Sequence, residues 1–337
     1  MNRRIAIAAL LLTAACAPRT DRTKTVTPVA TATPAPIPVT MEPAPQGLAR
    51  PEPKIAVIAW AGQGAGALLD VAAIGPGEAI AVGEPGVVRI SGDHVEVAPL
   101  PEGIPTSVWT DGPGFAVVVG YGGVSYVREN GGAWTAVATG TDADLLAVWG
   151  RSKDGVREVY AAGARGTMLR LAGSTWEKVG SPESAHLFSI SGNAARVWAL
   201  GESGGGGAPG EGAILRSAGG AFSDACPDLA CGGAVYDGWA PVPNELWTAG
   251  ARGEVVRYAG PQAEWITTGA KEDLTGIWGT GTRDLFVIGD AGTCLHFDGT
   301  AWKPLDAGER DLRSIAGLPS GEAWLVGADG AIRHLSP

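Results

Sequence analysis

Histidine and cysteine are scarce in this chain, with four of each in 337 residues. The histidines stand far apart in sequence, so they offer none of the paired spacing from which a zinc centre is built. Positive charge is also short, at 25 lysines and arginines against 35 aspartates and glutamates, a formal −10. That deficit excludes nucleic acid and an anionic bilayer surface as direct partners, because each calls for a positive face. No stretch holds a helical period long enough to compete with short strands. The N-terminal apolar run, Ile5 to Ala15, is too short to cross a bilayer as a helix.

Glycine, by contrast, is abundant, at 52 residues, and it recurs with a period. An apolar run ends on glycine at Gly83, Gly120, Gly163, Gly201, Gly250, Gly289 and Gly327, usually with a second glycine three residues on. Intervals near forty residues, with one longer, mark a repeat architecture. Each unit parses into four strand-length runs rich in Val, Ile, Leu and aromatics, as in Leu274 to Trp278, Leu285 to Ile288, Thr293 to Phe297 and a fourth beginning near Trp302. Gly289 and Gly292 are read as bracketing a two-residue turn, where positive φ is needed.

Seven such units predict an all-β fold, a seven-bladed β-propeller of four-stranded antiparallel blades. The blades fall near 68–106, 107–144, 145–185, 186–232, 233–273, 274–311 and 312–337 with 54–60. The last copy lacks a fourth run, and "KIAVIAW" places Trp60 where Trp134, Trp176, Trp265 and Trp302 stand in their units. Ile55 to Trp60 is therefore expected to complete the C-terminal blade and close the ring. Most of the twelve tryptophans sit at repeat positions, which predicts packing between sheets and not sugar platforms.

Ahead of the repeats, residues 1–15 have the form of an export signal, with Arg3 and Arg4 before the apolar run. "LTAAC" resembles a bacterial lipobox and makes Cys16 the expected lipidation site. By resemblance to the enterobacterial sorting rule, Ala17 implies the outer membrane, facing periplasm or cell surface. Residues 16–53 hold nine of the chain's 24 prolines and read as an extended tether reaching ~100 Å. The propeller is expected over 54–337, monomeric and held to the membrane through its lipid alone.

Cys226 and Cys231 in "CPDLAC" are close enough to bridge, and an exported chain favours a disulfide over a metal pair. Cys294 takes an inward apolar position and is expected to be a buried thiol. "GESGG" at Gly201 to Gly205 and "GGGAPG" at Gly205 to Gly210 match nucleophile and dinucleotide patterns but lack the strand-to-helix context that either chemistry needs. No catalytic residue and no cofactor are assigned. Acids recur at Glu78, Glu158, Glu245, Asp284 and Glu322 and bases at Arg170, Arg216, Arg257, His296 and His334. With a two-residue turn between them, these sets fall on opposite faces of a blade and should not pair within it.

The third and fourth strands read "GVSYVRENGGAW" at Gly123 to Trp134, "GTMLRLAGSTW" at Gly166 to Trp176 and "GAILRSAGGAF" at Gly212 to Phe222. They resemble the repeat of the photosystem II assembly-factor and sialidase-like propellers, which runs glycine, apolar, arginine, turn, tryptophan. Asn130 or Ala218 replaces the aspartate of the sialidase Asp-box, and no sialidase arginine triad or tyrosine nucleophile maps onto the chain. The resemblance thus implies the fold and not glycoside cleavage.

Features outside the repeat are the better guide to function. Two insertions belong to the fourth blade. One carries Glu202, Ser203, Pro209 and Glu211, the other Pro227, Asp228 and Leu229, and both emerge on the side of the disc opposite the tether. They are the candidate partner-binding loops. The expected function is a non-enzymatic, lipid-anchored scaffold that binds an envelope or surface protein. A glycan-binding or glycan-cleaving propeller is the alternative, and a quinone dehydrogenase a distant third without a recognisable cofactor or calcium site.

Overall fold

The computed structural model describes residues 52–60, 66–153, 155–182, 185–203, 210–226, 229 and 231–337. The export signal, Cys16 and nearly all of the tether lie outside the described residues. Among the described residues, twenty-eight strands form seven four-stranded antiparallel sheets, so the seven-bladed propeller is observed. Within a blade the strands run from the channel outward in sequence order. In the sixth these are Leu274–Gly281, Asp284–Gly289, Cys294–Phe297 and Trp302–Pro304.

The seventh blade departs from that rule as the repeat predicts. Its outer strand is Lys54–Val57, paired antiparallel with Ala331–Ser336. Ile58 and Trp60 continue the closure by packing with Leu68, Val71, Trp324 and Ile332, across the seam between the last blade and the first. The core accordingly consists of seven clusters, each shared by two neighbouring blades. A lone blade is a half-buried sheet, and the circle gives every face a partner. Trp176 is buried and Trp134 and Trp302 half-buried, but Trp265 is 50% exposed and does not share the expected packing role.

The turn between the second and third strands differs from expectation. In the sixth blade the Gly289 N–H donates to the Thr293 carbonyl at 2.9 Å, so three residues, not two, lie between the bracketing positions, the 3-10 turn Asp290–Gly292. Gly289 is extended at φ −173°, not left-handed. A Cβ there would collide with the carbonyl oxygen of Asp273, and a similar collision awaits a side chain at Gly83, Gly120, Gly163, Gly201, Gly250 and Gly327. The periodic glycine is therefore required by close approach of the entering chain. Positive φ falls on the later residues, Ala291 at 52° and Gly292 at 70°.

One added residue in a turn moves a strand's side chains to its other face. The acid and base sets consequently share a face, and the expectation that they would not pair within a blade is corrected. Asp284 lies 2.8 Å from His296, Glu322 lies 2.7 Å from His334, and Glu245 lies 3.0 Å from Arg257. His296 stands directly across from Phe286, whose ring it stacks against, and Asp284 is two residues along the same face.

Candidate binding site at the channel mouth

Every inner strand carries a β-bulge at its entry to the channel. The pairing skips one residue between Leu68 and Asp70, Pro105 and Ser107, Leu145 and Ala147, Leu187 and Ser189, Val235 and Asp237, Leu274 and Gly276, and Leu312 and Ser314. A bulge leaves one residue without a partner and re-aims its side chain. The seven residues so released are Leu69, Thr106, Leu146, Phe188, Tyr236, Thr275 and Arg313. All seven line one cavity of about 430 Å³ at the channel mouth, together with Tyr121, Asp273 and Asp290.

Below this ring the channel, about 350 Å³, meets a polar layer one residue further along five of the strands, at Asp70, Ser107, Ser189, Asp237 and Ser314. Asp70 accepts hydrogen bonds from Ser107 Oγ at 2.7 Å, the Val108 N–H at 2.9 Å, Ser314 Oγ at 2.6 Å and the Val71 N–H at 2.8 Å. Asp237 accepts from Ser189 Oγ at 2.7 Å and the Ile277 N–H at 2.9 Å. Ser107 Oγ in turn accepts from the Val148 N–H at 3.0 Å. All but the Val71 bond cross from blade to blade, and the backbone donors among them are ones that a bulged ladder leaves open. Burial holds both carboxyls above the usual carboxylate range, Asp237 at about 6, although the donors favour the ionised form. The donors that satisfy them are framework groups, so this layer is a structural girdle under the mouth.

The rim is fastened by aspartates just before the inner strands. Asp144, Asp273 and Asp311 accept from the backbone N–H groups of Gly122, Arg252 and Ala291 in the turn of the preceding blade, at 2.8 to 2.9 Å. Arg313 is held between Asp290 at 2.9 Å and Asp311 at 3.0 Å. Tyr236 donates its hydroxyl to Asp273 at 3.2 Å, and its ring lies 5.8 Å from that of Phe188. Burial first, and then Asp273, push the Tyr236 hydroxyl up to about 12. Tyr121 is raised by burial, Asp144 and Glu84, and Asp290 is raised mainly by burial with Asp311 and Asp273 adding to it. The mouth is thus apolar and aromatic on one arc and acidic on the other. Among the described residues no three His, Cys, Asp or Glu side chains gather to hold a metal ion.

Sequence reasoning looked to the fourth-blade insertions and missed this ring. Glu202 and Ser203 end the second strand of that blade, and Ser203 donates its N–H to the Glu211 carbonyl at 2.8 Å. Glu202 stands close enough to the mouth for its charge to add to the rise at Tyr236. Cys226 and Cys231 form the expected disulfide, with Cα atoms 5.4 Å apart. Leu229, expected at the binding surface, is instead 3% exposed and packs with Ile214, Val235 and Leu246, because the disulfide loop folds it back into the seam between blades four and five. Pro209, Pro227 and Asp228 lie outside the described residues. The overlooked signal was one inner-strand position, the second residue of six inner strands and the fourth of Ala185–Gly192, which varies while leucine or another apolar residue precedes it and a small or acidic residue follows.

With this geometry in place, the fold can be compared with solved propellers. The chain is similar to YCF48 bound to D1 peptide, at 12% identity with a TM-score of 0.67, covering 86% of this chain and 98% of that one. YCF48 from Cyanidioschyzon merolae gives 13% identity and a TM-score of 0.65, covering 84% and 99%. The WD40 β-propeller domain of Doa1 gives 12% and 0.67, covering 83% and 95%. No protein-family model and no curated protein matches the chain. At such identities the likeness shows the fold. The seven-bladed propeller therefore has photosystem II assembly-factor and WD40 propellers as structural neighbours.

Proposed function

We propose that this protein is a non-enzymatic interaction scaffold of the bacterial envelope, anchored by a lipid on Cys16, which binds a protein partner at the channel mouth. The observation that carries the reading is the ring of seven bulged side chains around one open cavity. Repetition explains a core residue at every blade, yet the bulge residues differ from blade to blade, from Leu69 to Arg313, as residues facing a ligand do. A structural neighbour was solved with a peptide bound, which supports a peptide-binding use of this fold. Pro53, just ahead of the closing strand, lines a pocket with Ser320 and Pro337 on the side away from the mouth.

Photocrosslinking in cells tests the reading, with a probe at Tyr121, 44% exposed on the rim, and another at Val156 on the opposite side. A protein trapped from Tyr121 and not from Val156 supports a docking mouth, and equal labelling from both sites removes it. Release of the chain from the membrane fraction by Cys16→Ala tests the anchor.

A second reading, glycan binding, draws on the same rim, since an exposed Tyr121 lines the cavity that also holds Asp273 and Asp290, giving a stacking face and acceptors. Both carboxylates already hold partners, Asp273 the Arg252 N–H and Asp290 the Arg313 guanidinium, which favours binding over hydrolysis in that reading. Glycan-array binding that Tyr121→Ala abolishes would select it.

A further inference from the structure

We infer that the mouth is built for a basic segment of its partner, a lysine or arginine side chain seated among Tyr236, Asp273 and Asp290 with an adjoining apolar residue against Phe188 and Leu146. This rests on the mouth reading above and adds the chemistry of the occupant.

Charge is the first argument. Arg313 is the cation of the bulge ring, and it is already held by two carboxylates, Asp290 and Asp311. Among the described residues Asp273 meets no cation within the mouth; its partners are a backbone N–H and a tyrosine hydroxyl. The rim therefore keeps a net negative charge, on a chain whose formal charge is −10. An anionic ligand would meet repulsion there, while a cation would meet unfilled acceptor capacity. Three ionisable groups around the cavity, Tyr121, Tyr236 and Asp290, are shifted against carrying negative charge, as expected where anions crowd a poorly solvated space.

Shape and polarity narrow the occupant further. Phe188 and Tyr236 present tilted rings 5.8 Å apart, and aromatic faces attract ammonium and guanidinium groups. Leu69 and Leu146 give the same cavity an apolar wall that an inorganic cation or a bare amine would leave uncovered. About 430 Å³ admits a long side chain and part of its neighbour, the scale on which a peptide anchors in a concave site.

The test uses the full mature chain in detergent and three fluorescent ten-residue peptides with central Lys-Leu, Glu-Leu or Lys-Ser, read by anisotropy at 50 and 300 mM salt. The Lys-Leu peptide should bind at least tenfold tighter than Glu-Leu and several-fold tighter than Lys-Ser, and should weaken at the higher salt. Asp273→Asn keeps an acceptor for the Arg252 N–H and should cut Lys-Leu binding about tenfold. Phe188→Leu should cut it several-fold, and Glu177→Gln on an outer strand should leave it unchanged. Circular dichroism establishes that each variant is folded. Equal or tighter binding of Glu-Leu, or full affinity in Asp273→Asn, overturns the inference. If no peptide binds while the Tyr121 probe still traps a protein in cells, the basic occupant is wrong and the docking mouth stands. If the probe traps nothing, the docking reading fails as well.

Discussion

Trp60 donates its indole N–H to the carbonyl oxygen of Gly330 at 2.8 Å, joining positions 270 residues apart. The bond ties the end of the closing segment to the turn of the seventh blade, and the tryptophan ring packs into the cluster that joins that blade to the first. Trp60→Ala should lower stability by about 3 kcal/mol, since it removes a large aromatic contact and an N–H partner. Trp60→Phe should recover part of the loss. Urea unfolding followed by tryptophan fluorescence, corrected for the missing reporter, measures the difference. An unchanged midpoint in Trp60→Ala would mean that the ring closes without this residue.

Asp237 gives the girdle a pH dependence with a definite sign. Its carboxyl lies at about 6 in the fold against an ordinary 3.8, chiefly because burial penalises the anion. A carboxyl raised by folding binds its proton more tightly in the native state, so its contribution to stability is largest below about 4 and is lost as pH rises through 6. Asp237→Asn keeps an acceptor for the Ile277 N–H, and Ser189 can turn its hydroxyl to accept from the amide. The wild type should therefore lose more stability than Asp237→Asn between pH 4 and 7, by about 2 kcal/mol. Parallel thermal melts across that range measure it, and curves of identical slope would show that Asp237 titrates normally.

The fold was legible in the sequence because a repeat states its own period. Seven glycines mark seven second strands, and the unpaired seventh unit together with "KIAVIAW" gave the closure. What was not legible is register. A turn one residue longer than the glycine spacing suggests moved His296 onto the face of Asp284, and nothing in the residue order distinguishes a bracketing glycine from one inside the turn. The bulges share that difficulty, since an apolar, a variable and a small or acidic residue in succession read equally well as an unbroken strand. The ring proposed for binding therefore hid in the one inner-strand position where the blades disagree, while length made the fourth-blade insertions conspicuous. Leu229 shows the converse, an apolar residue in an inserted loop that folds back into the core.

The Cys226–Cys231 disulfide spans a short loop, and short loops constrain the unfolded chain modestly. Loop-closure entropy predicts a contribution of about 2 kcal/mol. Ala225 and Leu229 stay packed in the seam between blades four and five through apolar contact, so reduction should loosen this edge without opening the ring. Cys226→Ser with Cys231→Ser should lower the melting temperature by a few degrees. Hydrogen exchange should rise at 225–235 and remain unchanged at the seam closed by Trp60. Exchange spreading to all blades would show that the disulfide supports the whole circle.

Gly289 and Ala291 make a paired test of why glycine recurs. Gly289 is extended, a conformation open to any residue, yet its missing side chain leaves room for the Asp273 carbonyl. Ala291 has a side chain but sits at φ 52°, the left-handed region in which a Cβ costs roughly 1 kcal/mol. If close approach is the reason for the periodic glycine, Gly289→Ala should destabilise by more than about 2 kcal/mol, because the entering strand must shift and Asp273 with it. Ala291→Gly should be neutral or stabilising by up to about 1 kcal/mol, strain relief being offset by the freedom glycine adds to the unfolded chain. Chemical denaturation of the two variants measures both changes. Equal costs would return the explanation to turn conformation. A large cost at Gly289 alone, with Lys-Leu peptide binding reduced as well, would show that the glycine that seats Asp273 also shapes the acidic arc of the mouth.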